Sequence, residues 1–125
     1  MLKVEKPRIL FVEDEPLALE LLESALKLRG YTMHSFSCPL KAIEWFESHS
    51  NEVDILVTDQ SMPNFTGAQL IEKARNIKDK LPAIIVTGLG KVTGPFLKSG
   101  PTSVLEKPFK RQQLVDAIDN LVQEK

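Results

Sequence analysis

Five side chains able to do chemistry close or directly follow apolar runs. Glu13 and Asp14 come after Ile9-Leu10-Phe11-Val12, and Asp59 comes after Ile55-Leu56-Val57-Thr58. Thr87 closes Ala83-Ile84-Ile85-Val86, and Lys107 follows Ser103-Val104-Leu105-Glu106. Gathered in one place, they would form a cleft with a surplus of negative charge. Two carboxylates about 4 Å apart repel by about 4 kcal/mol at the effective dielectric of a partly exposed site, and three acids make three such pairs. One lysine cannot offset that, whereas a divalent cation attracts each acid about twice as strongly. Oxygen donors without histidine or cysteine select Mg²⁺ or Mn²⁺ over zinc. With a metal, a free carboxylate, a hydroxyl and an ammonium, such a site can handle a phosphoryl group. The carboxylate attacks phosphorus, metal and lysine neutralise the equatorial oxygens, and the hydroxyl hydrogen-bonds one of them. The product is an aspartyl phosphate.

Convergence of the five depends on the elements that carry them. Short continuous apolar runs suit strands covered on both faces. Pro16 fits the first position of a helix, with Glu15 or Asp14 as cap, and Ala18, Leu21, Leu22, Ala25 and Leu28 follow at helical spacing up to a terminating Gly30. Tyr31 to Phe36 reads as a weaker second strand. Pro39 opens a second helix with Ala42, Ile43 and Phe46 inward and Trp45 as a packing residue. Val53 to Thr58 is the third strand, and Gly67, Leu70, Ile71, Ala74 and Ile77 mark the third helix. Leu114, Ala117, Ile118, Leu121 and Val122 mark the last. From Gly88 to Pro101 the chain holds four glycines and two prolines, so only a turn or two from Pro95 to Ser99 is expected to be helical. Five strand-then-helix repeats imply an α/β fold, a doubly wound parallel sheet with helices on both faces. Its strand ends share one edge, where ligands bind.

The 125 residues read as a single domain, residues 1–125 with a core from 8 to 122. Sixteen basic against seventeen acidic residues give a formal charge of -1 with no long block of one sign, which argues against direct binding of nucleic acid. The lone Cys38 excludes an internal disulfide and fits a reducing, cytoplasmic setting. No apolar run reaches the roughly 18 residues that a membrane span requires. Gly88 to Gly94 imitates a nucleotide loop but lacks the required spacer, and Val92 replaces its Ser or Thr. His34 and His49 have no partners at metal spacing, and Lys110 with Arg111 reads as a solvated pair.

Four motifs in order carry a resemblance across about Arg8 to Val122. They are Ile9 to Pro16 with its three acids, Asp59 to Gly67 with Met62-Pro63, Ile85-Val86-Thr87-Gly88, and Lys107-Pro108-Phe109. The chain resembles a response-regulator receiver domain of two-component signalling. The resemblance implies a five-stranded, flavodoxin-like sheet in the order 2-1-3-4-5. It implies Asp59 as phosphoacceptor, Asp14 as a direct Mg²⁺ ligand, Glu13 as a ligand through water, and the Ser61 carbonyl as a further ligand. Thr87 would bind a phosphoryl oxygen and swing inward, Lys107 would pair with the phosphoryl group, and the bond before Pro108 would be cis. The donor would be a histidine kinase or histidine phosphotransfer domain. Output would pass to a further domain or protein through the face near residues 88–106 and the last helix. The Thr58 to Pro63 run with Ile85 to Gly88 is most similar to receivers of hybrid sensor kinases. On this reading the domain promotes only its own phosphorylation and dephosphorylation. The alternative is a small metal-dependent aspartyl-phosphate phosphatase, although Ser61 stands where such enzymes usually place a second Asp. Three departures stand out: Val104 occupies the usual aromatic switch position, Gly88 replaces a commoner Ala, and the fourth helix is shortened or irregular. A flexible fourth segment, ordered by phosphorylation, is the expected consequence.

Overall fold

Apolar continuity decides which strands lie inside. Strands β1 (Arg8–Val12), β3 (Ile55–Asp59) and β4 (Ala83–Thr87) are almost wholly buried, whereas β2 (Thr32–Phe36) and β5 (Thr102–Glu106) are partly exposed. In the computed structural model, which describes residues 6–88 and 92–122, all five run parallel in the order β2-β1-β3-β4-β5. The more polar strands are thus the two edges, and the flavodoxin-like order is the expected one.

Side chains alternate across the sheet. Ile9, Phe11, Val57 and Val86 meet helices α1 (Pro16–Leu28) and α4 (Arg111–Val122), while Leu10, Val12, Leu56 and Ile85 meet α2 (Pro39–His49) and α3 (Gly67–Ile77). Burying each such side chain stabilises the fold by about 1.5–3 kcal/mol relative to leaving it exposed. Pro16 and Pro39 open their helices; Glu15 is the capping residue of α1 but makes no side-chain cap bond. At the other end of α1, Gly30 adopts φ +94°, which lets its N–H donate to the Lys27 carbonyl at 3.0 Å while the Tyr31 N–H reaches Leu26 at 3.2 Å.

The stripe Ala18, Leu21, Leu22, Ala25 and Leu28 is partly out of phase with the buried face of α1, because leucines occupy two of its faces. Leu19, Leu22 and Leu26 pack on the sheet, whereas Leu21 and Leu28 stand 65% and 89% exposed. Between β4 and β5 the described residues hold only a 3-10 turn, Pro95–Lys98, preceded by Gly94 at φ +146°. The expected shortening of this helix is therefore realised; Leu89 to Lys91, the heart of the nucleotide-loop look-alike, fall outside the described residues. Among the described residues no helix is long and apolar enough to cross a membrane.

Trp45 is a packing residue, as expected. Its ring contacts those of His34 and His49 at centroid distances of 4.5 and 4.4 Å, and the His49 Nδ1 stands 2.7 Å from the Trp45 carbonyl oxygen. Burial pulls the His34 pKa below its ordinary 6.5, reinforced by His49 and Arg8 and opposed by Glu52. The unfolded chain therefore takes up this proton first as pH falls. Stability from neutral His34 is complete above the unfolded value and is lost as pH drops through the folded one. Denaturation followed by circular dichroism between about pH 7.5 and 5 should show that loss, and His34→Gln should flatten it.

Candidate functional site

Because β1, β3, β4 and β5 are successive neighbours, their C-terminal ends deliver side chains to one edge. The parallel ladder continues one residue past each strand: the Glu13 N–H donates to the Phe36 carbonyl at 3.1 Å, Gln60 to Val86 at 2.8 Å, and Lys107 to Thr87 at 2.8 Å. These rungs fix the backbone under the reactive groups. Glu13, Asp59 and Thr87 are buried, Asp14 is half-buried, and the Lys107 side chain keeps 42% of its surface exposed. Thr87 ends β4, on the strand between those that carry Asp59 and Lys107.

The electrostatics follow from those positions. Oxygens of Glu13, Asp14 and Asp59 all lie within 4.8 Å of one another. The Lys107 Nζ stands 3.0 Å from Asp59 Oδ1 and 3.9 Å from Glu13 Oε1. Burial raises the Glu13 pKa; Asp59 and Asp14 raise it further, against the Glu15 N–H, which donates to Glu13 Oε2 at 3.1 Å, and the charge of Lys107. Burial works the other way on Lys107, but the hydrogen bond and charge of Asp59, with Glu13 and Asp14 adding, lift its pKa above the ordinary value. Among the described residues one ammonium thus faces three carboxylates, and the remaining negative field suits a hard divalent cation held by oxygen.

The loop after Asp59 is held from both ends. Met62 is buried in the core, and Asn64 takes the left-handed turn at φ 65°. Thr66 caps α3 in a reciprocal box: its hydroxyl accepts from the Gln69 N–H at 3.1 Å, and Gln69 Oε1 accepts from the Thr66 N–H at 2.8 Å. Gly67 is pressed against the phosphoacceptor candidate itself, since a Cβ there would collide with the Asp59 carbonyl oxygen. Its N–H donates to the Gln60 carbonyl at 3.0 Å, and Gln60 Oε1 accepts from the Ala68 N–H at the same distance.

Of the residues expected at the site, the fold brings Glu13, Asp14, Asp59, Thr87 and Lys107 to one edge; Ser61 lies exposed in the loop two residues past Asp59. The Lys107-Pro108 bond is cis. Two features were not read from the sequence. An apolar groove of about 640 Å³ opens beside Asp59 and Lys107, walled by Phe11, Ala18, Leu21 and Phe109. Arg75, a charged residue within the stripe Gly67, Leu70, Ile71 and Ala74, is buried with them. Its place four residues after Ile71 was the available signal.

A family model described as the response regulator receiver domain matches residues 9–119, and the chain belongs to this family. It is a receiver domain of two-component systems, with a phosphoryl-accepting signalling role. Sensor kinase CckA of Brucella abortus is 31% identical over 119 residues, covering 92% of this chain but 12% of the kinase. The regulatory protein FixJ of Rhizobium meliloti is 29% identical over 112 residues, 86% of this chain and 53% of FixJ. A receiver domain from Clostridium thermocellum superposes with a TM-score of 0.86 at 28% identity, covering 94% of this chain and 95% of its own. The chain spans about half or less of the curated relatives named here.

Two outcomes are expected from this geometry. Gly67→Ala forces α3 away from Asp59 and should cost about 2 kcal/mol in chemical denaturation. Glu13→Gln relieves the crowding of buried carboxylates, so without divalent cation it should raise the thermal midpoint by a few degrees, about 1 kcal/mol. Calorimetry with added Mg²⁺ should then show a smaller gain for the variant than for the natural protein.

Proposed function

We propose that Asp59 is the phosphoacceptor and takes a phosphoryl group from the phosphohistidine of a histidine kinase or phosphotransfer domain. The observation that carries this reading is the 3.0 Å contact of Lys107 with Asp59 inside the three-acid cluster, at the strand edge of a receiver fold. A carboxylate oxygen of Asp59 attacks phosphorus, the phosphorus–nitrogen bond of the donor breaks, and its electron pair returns to the imidazole. Lys107 sits where it can follow the charge from carboxylate to phosphoryl oxygen, and the Thr87 hydroxyl supplies a hydrogen bond to that group. Glu13, Asp14, Asp59 and the Ser61 carbonyl would hold Mg²⁺ or Mn²⁺, which when bound neutralises the acids and the transferred oxygens.

Residues 8–122 serve as the working unit, in the cytoplasm, and the product that matters is the changed protein rather than a released compound. Val104, 40% exposed and not aromatic, offers no ring to couple with Thr87. Output passes through the face near residues 88–106 and α4 to a further domain or partner protein. Likeness to the receiver of a sensor kinase supports a hybrid-kinase setting.

Incubation with acetyl phosphate and Mg²⁺ should place one hydroxylamine-labile phosphoryl group on the chain, lost in Asp59→Asn and in excess chelator. Thr87→Ala and Lys107→Ala should slow the labelling by about tenfold or more. Continued turnover of added phosphate esters would instead identify a small metal-dependent phosphatase. Absence of any modification would leave a binding module.

A further inference from the structure

Arg75 stands in the last turn of α3, 7% exposed, with all five of its N–H donors engaged. Its Nε donates to the Leu81 carbonyl at 2.9 Å. Nη1 donates to the Phe96 carbonyl at 2.6 Å and Ser99 Oγ at 3.0 Å, and Nη2 to the Pro101 carbonyl at 2.8 Å and Thr102 Oγ1 at 2.9 Å. Four of the five acceptors thus belong to the stretch that leads into β5. No carboxylate is among these partners, and burial alone pulls the guanidinium pKa below its ordinary value. A buried cation held only by neutral dipoles tolerates little displacement, because each lost acceptor leaves a donor unpaired in the interior.

Two further contacts fix the same stretch. The Phe96 ring is 1% exposed in the core formed with α2 and α3. Gly100 lies flat against the guanidinium: a Cβ there would stand 2.9 Å from Arg75 Cζ and Nε and 3.0 Å from Lys80 Cα. Residues 96–102 are therefore tied to the body of α3.

We propose that Arg75 is a positioning residue for signal output: it anchors residues 96–102, so that β5 is held at its entrance and responds only at its exit. The exit carries Val104, Glu106 and Lys107, and Lys107 touches the site directly. A hollow of about 650 Å³ lined by Val104, Glu106 and Gln113 lies beside that end, where a partner can read the change. This inference rests on the phosphoacceptor reading of Asp59, and it holds residues 96–102 fixed already before phosphorylation, where a fourth segment ordered only by phosphorylation was expected.

The test is amide NMR and hydrogen exchange on the full chain, with and without Mg²⁺ and beryllofluoride. Thr87 and residues 104–107 should shift on loading, while amides of 96–102 keep their positions and exchange within about twofold. In unloaded R75M, exchange at 96–102 should accelerate by about tenfold or more, with R75K intermediate, and on loading these amides should begin to shift. Should R75M not fold, G100A crowds the same guanidinium and should give the same pattern. Shifts at 96–102 of the natural protein as large as at Thr87, or unchanged exchange in the variants, overturn the proposal. A silent Thr87 would count against the phosphoacceptor reading instead, while the unloaded comparison still decides whether Arg75 anchors the stretch.

Discussion

The contact between Lys107 and Asp59 is the point on which the rest of the structure turns, because among the described residues it is the one direct positive charge set against a knot of three acids. Left to itself, such a knot would push its carboxylates apart or take up protons; Glu13, whose pKa is raised first by burial, is raised further by Asp59 and Asp14. What holds the acids together is backbone. The reactive residues stand at or within two residues of the ends of neighbouring strands, and the ladder continues beneath them through the rungs at Glu13, Gln60 and Lys107. The hydrophobic layers on both faces of the sheet thus stabilise an arrangement that electrostatics opposes. Groups preorganised at this cost are those that can respond when a doubly charged phosphoryl group arrives.

The same sheet separates chemistry from anchorage. At the C-terminal edge the groups are charged and partly open to solvent, with a soft apolar groove beside them. At the opposite edge the connections are tied down, by Arg8 on Asp54 with contacts of 2.8 to 3.2 Å and by Arg75 on the carbonyls leading into β5. Both arginines sit where a strand begins, so a shift at the reactive edge has a fixed frame to move against. Helix α3 joins the two regions, since Gly67 lets it start directly on the Asp59 carbonyl and its last turn carries Arg75.

Much of this was legible in the sequence, and for identifiable reasons. Continuous apolar runs such as Ile55 to Val57, too short for a helix of ordinary length, suit inner strands, and parallel topology then gathers their ends without any knowledge of side-chain contacts. Pro16, Pro39 and Gly30 mark helix ends through backbone restrictions that hold in any fold. The phase of α1 was not legible, because leucines at both Leu21 and Leu22 satisfy helical spacing and only the sheet decides between them. Arg75 was hidden more deeply. Its acceptors are mainly main-chain carbonyls brought together by the fold, and a sequence carries no mark of where a carbonyl points.

Trp45 has a practical consequence for anyone watching this molecule by light. It is the single indole of the chain, and it packs on β2, separated from β3 and its Asp59 by the whole of β1. The rings of His34 and His49 lie against it, so its emission will answer to the integrity of that flank. Intrinsic fluorescence is accordingly a gauge of unfolding at the β2 margin, and an indicator of phosphorylation would need a reporter dye placed elsewhere, on the β5 side of the sheet.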